Sequence, residues 1–429
     1  MPPKISLIGA GSVVFARRLL QDVVCVPELS EATVSLMDVD DERLEVIGAF
    51  ANKLSRDAGT NISVQATTDR RRSVDGADYV LTTIRVGDRY DVDQAIPLSY
   101  GVDQSVGDTV GPGGVFKALR TVPVLLDICR DIEDLAPDAW LLNYTNPMAI
   151  ACWAINDATK VKTVGLCHSV QRTTQDLADF IGAPHDSVSA WVAGINHLAW
   201  FLRFEKDGQD AYPELWRALE NPEIFSRDPV RFEVMRHFGY FVTESTRHMS
   251  EYVPYFRTDR SVMEEFGLPA IKRALSTVAE RADDHYVQLK EAIASTEPMR
   301  PERSDEYACR IIESMETGRR TVINANVRNS GLIDNLPHGS CVEVPCLVDE
   351  LGVHPMNVGS LPPQLAALDR ANIAVQEMAK KAVLEQSREA AAHAVMLDPL
   401  TGAVLSLKQI RSMFDEMWSA HGVALDAYH

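Results

Sequence analysis

Short apolar runs alternate with stretches of helical period through the first part of the chain. Residues 4–8, Lys-Ile-Ser-Leu-Ile, have the composition of a short buried strand, and Gly9-Ala10-Gly11-Ser12 follows them directly. Positions 13–26 then take a period near 3.6, the spacing of a helix with one apolar face. A second strand over 33–37 ends in Asp38, a helix is expected over 41–58, and strands follow at 62–67 and 79–84. Two more short strands, 139–143 and 162–166, each come after a helix. Strand and helix in regular alternation predict an α/β fold whose N-terminal part is a Rossmann-like, doubly wound, mostly parallel sheet.

The rhythm changes after about residue 185. Positions 190–195 and 200–204 read as antiparallel strands, 228–237 and 268–295 as helices, and 322–326 and 340–347 as strands again. An Ala-, Gln-, Lys- and Glu-rich stretch over 362–396 has helical spacing, and 405–419 gives a last helix. The expected division is a nucleotide-binding Rossmann-like domain over 1–190 and an α+β lobe over 191–429 that completes the active site. Neither a repeat nor a long linker interrupts the chain, so the second lobe is expected to pack directly on the first.

Charge narrows the possible partners. Lys and Arg number 42 against 61 Asp and Glu, a formal net charge of −19 in 429 residues. Phosphate backbones and anionic bilayers both need clustered cations, so nucleic acid and membrane are poor partners. A small-molecule substrate stays open. No apolar run reaches the roughly 18 residues of a membrane span, and the N-terminus lacks the apolar core and cleavage site of a leader. Seven scattered cysteines do not form a disulfide framework, which makes the cytoplasm the expected location and leaves thiols available to a metal.

Candidate chemistry sits where strands end. Gly9-x-Gly11-Ser12 lies between strand and helix, where glycines let the backbone approach a pyrophosphate and the helix N-terminus supplies N–H donors. Val14 stands where the third glycine of the full fingerprint belongs. Asp38 accepts from ribose hydroxyls and repels a 2′-phosphate, so NAD is expected over NADP. Cys167-His168 follows one strand and Gly194-Ile195-Asn196-His197 ends another; thiolate and imidazole together suit a borderline divalent ion with positions open to substrate. Asn143-Tyr144-Thr145-Asn146-Pro147 and Arg85 also stand at strand ends, and the segment from Glu244 to Tyr252 is dense in titratable groups. Each has a plain structural alternative: an Asx turn, a surface ion pair, a capped helix start.

The ordered set of these motifs resembles glycoside hydrolase family 4, the NAD- and manganese-dependent glycosidases. It includes Asp108-Thr109-x-Gly111-x-Gly113-Gly114, Gly165-Leu166-Cys167-His168-Ser169-Val170 and Gly194-Ile195-Asn196-His197. Cys-His-Ser-Val, with His248-Met249-Ser250-Glu251-Tyr252, is similar to the α-galactosidase branch, and His168 speaks against a 6-phosphorylated sugar. The resemblance implies an exception to two-carboxylate glycosidases: oxidation at C3 by NAD, loss of the C2 proton, elimination from C1, addition of water and re-reduction. It implies Cys167 and His197 as Mn²⁺ ligands, and Gly9, Gly11, Ser12 and Asp38 around NAD. Substrate contacts fall to Arg85, Asp108, Asn146 and His248. His168 is implied as the acid on the leaving oxygen and Tyr252 as the C2 base, because Ser245 stands where other members place an aspartate. A phenol of ordinary pKa about 10 needs a cation beside it to serve near neutrality.

The expected activity is hydrolysis of α-galactosides by a homo-oligomer, dimer or tetramer. An α-galacturonidase or α-glucuronidase is the sibling alternative, with Arg85, Arg257 or Arg260 facing the substrate carboxylate. A malate- or lactate-like NAD-dependent dehydrogenase is the alternative of a different class; it has no need of Cys167 and His197.

Overall fold

The computed structural model describes residues 2–87, 89–104, 106–268 and 285–429. Its frame is one 12-stranded sheet. Strands β1 (Lys4–Ile8), β2 (Thr33–Met37), β3 (Ser63–Thr67), β4 (Tyr79–Thr82), β5 (Trp140–Asn143) and β6 (Lys162–Gly165) are parallel, in the order β3-β2-β1-β4-β5-β6. This is the doubly wound half that the alternating pattern predicts, with helices on both faces. The central strands read as nearly unbroken apolar runs because both faces are covered.

The sheet does not stop at β6. It continues through β10 (Thr321–Arg328) and β11 (Cys341–Asp349) to β7 (Val188–Ile195), β8 (Leu198–Lys206) and β9 (Gln209–Asp210), with β12 (Gly352–Pro355) on β11. These pairings are antiparallel. The predicted strands at 190–195, 200–204, 322–326 and 340–347 are thus present, each extended by a few residues. β6 meets β10 at Gly165 opposite Asn326, and β11 meets β7 at Glu343 opposite Gly194. Because Asn326 also pairs with Glu343, Gly165, Asn326, Glu343 and Gly194 form one continuous rung. That rung levels the carboxyl ends of β6 and β7, two strands with no direct pairing to each other.

The helices of the chain's end return to the parallel half. Met413, Phe414 and Met417 share a core with Ile8, Val80 and Leu141. The expected helical stretch over 362–396 is two helices, Pro363–Glu385 and Arg388–Leu397, broken where Gln386 turns left-handed (φ 52°) and Ser387 caps the second. Of the helix expected over 268–295, positions 269–284 lie outside the described residues.

Candidate active site

The glycine turn is held from three sides. Met37 O accepts the N–H groups of Gly9 and Ala10 at 2.9 and 3.0 Å, and Thr83 Oγ1 donates to Gly9 O at 3.0 Å. A Cβ on Gly9 (φ 91°) would lie 2.8 Å from Thr83 O, and one on Gly11 2.8 Å from an Asp38 oxygen. Gly9 needs both the left-handed backbone and the missing Cβ, whereas a Cβ at Gly11 would push on the Asp38 carboxylate. The helix Val13–Val24 begins at Ser12 without a side-chain cap, so its first amides stay available to a phosphate. These features fit a dinucleotide. Asp38 also holds the turn itself: Oδ2 accepts Gly11 N–H at 2.7 Å and Oδ1 accepts Asp40 N–H at 3.1 Å. Asp38→Ala is therefore expected to weaken NAD⁺ binding and to narrow the NAD⁺/NADP⁺ preference about tenfold, the worth of one charge-assisted hydrogen bond. Calorimetry with both dinucleotides checks this; wild-type protein that binds them equally refutes the role of Asp38.

Cys167 stands two positions beyond Gly165 on β6, and His197 three beyond Gly194 in the β7–β8 turn. The shared rung brings the two together. His197 takes a left-handed backbone (φ 65°), uncommon for a side chain of its size and a mark of a site held by its surroundings. Glu244, also left-handed (φ 75°), brings a third donor. One ligand atom from each of Cys167, His197 and Glu244 lies within 4.8 Å of the other two, and His197 Nε2 is 3.4 Å from Glu244 Oε1. Thiol, imidazole and carboxylate together fit a borderline divalent ion. Burial and the Glu244 charge push the Cys167 thiol up to about 11. Burial also works against the Glu244 charge, yet the imidazoles of His197, His248 and His168 hold its carboxyl below the usual range.

A closed hydrogen-bond network backs the cluster. His197 Nδ1 lies 3.0 Å from His248 Nε2 and 3.3 Å from Tyr252 Oη, while Thr109 Oγ1 reaches His248 Nε2 at 3.0 Å and Tyr252 Oη at 2.8 Å. Burial pushes the Tyr252 phenol well above its ordinary value, and the charges of Glu244, Asp108 and Glu251 add to this. A cation in the donor cluster would act in the opposite direction. Asp108, paired with Lys117 at 2.9 Å, stays ionised: burial opposes its charge, but Lys117 and the two imidazoles keep it at about 2. Glu343 on β11 is fully buried, and burial and the neighbouring Cys167 raise its carboxyl well above the usual range.

The remaining expected residues surround these. His168 is the N-cap of the helix Ser169–Phe180, its ring centroid 6.3 Å from that of Phe15 on the glycine-turn helix, which joins the two halves of the site. Loss of hydration lowers its imidazole, against the pull of Glu244. Asn146 is half-buried beyond the end of β5, in a turn built by Asn143, whose amide donates to Thr145 O at 3.0 Å and accepts Thr145 N–H at 3.1 Å. Arg85, beyond the end of β4, lines a small, partly open cavity with Arg89, Asp93, Asp108, Lys117 and Arg120. Two of the cations expected to face a carboxylate are elsewhere. Arg257 is fully buried and spends its donors on Ser250 Oγ, Arg247 O and Asp103, and Arg260 is on the surface with Glu264. Sequence reasoning passed over Glu244 and Thr109 as ligand and relay. The signal for Glu244 was slight: a carboxylate directly before the Ser245 cap of the short helix that carries His248.

Residues 4–183 match the family 4 glycosyl hydrolases and residues 192–401 match the family 4 glycosyl hydrolase C-terminal domain. An α-galactosidase of Bacillus subtilis (strain 168) is 42% identical over 431 residues, 99% of each chain. An α-galacturonidase of Thermoanaerobacterium saccharolyticum is 31% identical, over 96% of this chain and 94% of its own. The structure of a 6-phospho-α-glucosidase from gut microorganisms, in complex with NAD and Mn²⁺, superposes with a TM-score of 0.84 over 99% of each chain at 22% identity.

Proposed function

We propose that this chain, which belongs to the family 4 glycosyl hydrolases, cleaves α-galactosides with NAD⁺ and Mn²⁺ as its cofactors. It is a glycoside hydrolase; the observation that carries the choice of sugar is the 42% identity, end to end, with an α-galactosidase. Gly9, Gly11, Ser12 and Asp38 would hold the dinucleotide, and Cys167, His197 and Glu244 the divalent ion. When bound, the nicotinamide exchanges a hydride with the sugar's C3 and the ion polarises the adjoining oxygens.

The chain's own groups do the rest. Tyr252 Oη takes the proton from C2, with Thr109 and His197 holding the phenol in place. His168, at the exposed edge of the cluster, gives a proton to the departing oxygen. Asn146, Asp108 and His248 orient hydroxyls, and Arg85 contributes from the cavity wall. No helix among the described residues is long and apolar enough to cross a membrane, and all seven cysteines are free, which supports a cytoplasmic setting for a thiolate enzyme.

The cationic lining of the Arg85 cavity favours a second reading, an α-galacturonidase whose substrate carboxylate enters there. A panel of p-nitrophenyl α-galactoside, α-glucoside and α-galacturonide with NAD⁺ and Mn²⁺ separates the two. Release of p-nitrophenol from the galactoside at ten times or more the rate from the galacturonide is expected, with no net NADH. Preference for the uronide overturns the choice of sugar, and stoichiometric NADH overturns the hydrolase reading.

A further inference from the structure

We infer that Glu251 is a positioning residue for the metal donors, acting through His248 on the ring of His197. The inference rests on the metal reading above and goes beyond it to a residue that touches neither substrate nor ion.

Ser245 caps the short helix Thr246–Met249 by accepting His248 N–H, and Glu251 follows His248 by three positions on the same side. Glu251 is fully buried. One oxygen accepts Val106 N–H at 2.8 Å; the other accepts Gly107 N–H at 2.9 Å and lies 3.1 Å from His248 Nδ1. Burial opposes this charge, but the His248 contact, Arg257 and the Gly107 amide outweigh it and hold the carboxyl below its ordinary range. An ionised carboxylate only accepts, so the hydrogen of His248 belongs on Nδ1 and its Nε2 presents a lone pair. That lone pair faces His197 Nδ1 at 3.0 Å. With Nδ1–H of His197 donating to that lone pair, which Thr109 Oγ1 also approaches at 3.0 Å, and turned toward Tyr252 Oη at 3.3 Å, Nε2, the nitrogen 3.4 Å from Glu244, is left for a cation.

Carboxylate, first imidazole and second imidazole thus form a chain that selects the tautomer of a ligand. Outer partners of ligating histidines commonly act this way, and their loss costs about 10–100-fold in metal affinity. The same carboxylate ties down the amides before Asp108 and Thr109, so one buried group sets the ligand ring and the loop opposite it.

Glu251→Gln keeps the volume but offers one acceptor oxygen to three N–H donors. The measurement is the Mn²⁺ dissociation constant, read from the electron paramagnetic resonance signal of free Mn²⁺, beside NAD⁺ affinity by calorimetry. Mn²⁺ binding is expected to weaken about 10–100-fold with NAD⁺ binding unchanged. His248→Ala should weaken it comparably, and adding Glu251→Gln to His248→Ala should cost less than a further threefold. Unchanged Mn²⁺ affinity in E251Q, or losses that multiply in the double variant, overturns the inference. Should E251Q fail to fold, H248A alone decides: wild-type Mn²⁺ affinity in that variant overturns it. Wild-type protein that binds NAD⁺ but no Mn²⁺ brings down the metal reading and the inference together, a result distinct from tight wild-type binding left untouched by the substitutions.

Discussion

Cys167→Ser is expected to lower Mn²⁺-dependent turnover by about two orders of magnitude or more while NAD⁺ binding stays within about twofold. Its sulfur is one of three donor atoms within 4.8 Å of one another, and it lies just beyond the end of β6, away from the glycine turn at the end of β1. Lewis-acid stabilisation of a developing charge is worth several kcal/mol, and about 3 kcal/mol already corresponds to two orders of magnitude in rate. A serine hydroxyl remains protonated and is a poor ligand to a borderline ion. The wild-type thiol, pushed up to about 11, has to lose its proton when the ion binds. Mn²⁺ affinity should therefore rise with pH through the neutral and mildly alkaline range, the direction required when binding displaces a proton, and the variant should lose most of that slope. Retention of Mn²⁺-stimulated activity in C167S would show that the thiolate is not a ligand.

Hydrolysis in D₂O is expected to leave deuterium at C2 of the released sugar, and Tyr252→Phe to depress that exchange and turnover together by about 10²–10⁴-fold, the usual contribution of a positioned base. A direct displacement at C1 never breaks the C2–H bond, so label at C2 reports the elimination route alone. The substitution removes one oxygen from a network in which Thr109 and His197 both contact it, and both of those side chains remain in place. Because burial raises the phenol well above its ordinary range, its work as a base needs the cation's field. Omitting Mn²⁺ should therefore abolish exchange in wild-type protein as completely as the substitution does. His168→Ala should act differently, slowing substrates with basic leaving oxygens more than activated aryl glycosides. Unlabelled sugar from wild-type protein excludes elimination and, with it, the part assigned to NAD⁺.

The α/β class, the six parallel strands and the glycine turn were legible in the sequence, because each rests on local periodicity or on a single backbone position. β1 and β2 begin and end where the apolar runs do. Gly9 and Gly11 occupy places where any Cβ collides. The resemblance to a family also placed Cys167, His197, His168 and Tyr252 in one site, by motif rather than by periodicity. The continuation of the sheet was not legible. Among the described residues β6 and β7 are joined through the Asn326–Glu343 rung, on segments some 150 residues further along the chain, and no local pattern encodes a partner that distant. The same holds for the break at Gln386, a left-handed residue within a stretch of uniform helical composition. The meeting of Glu244 with His197, and of Thr109 and Glu251 with His248, was equally hidden. From the sequence they are ordinary polar residues in loops and caps. These contacts arise when tertiary packing removes water around them, because a buried carboxylate or hydroxyl must find a partner and the partner found here is the imidazole of His197 or His248. Local sequence decides which groups carry the chemistry and on which strand ends they sit; the distances between them, and therefore their protonation and tautomers, are set only once the non-local strands have paired.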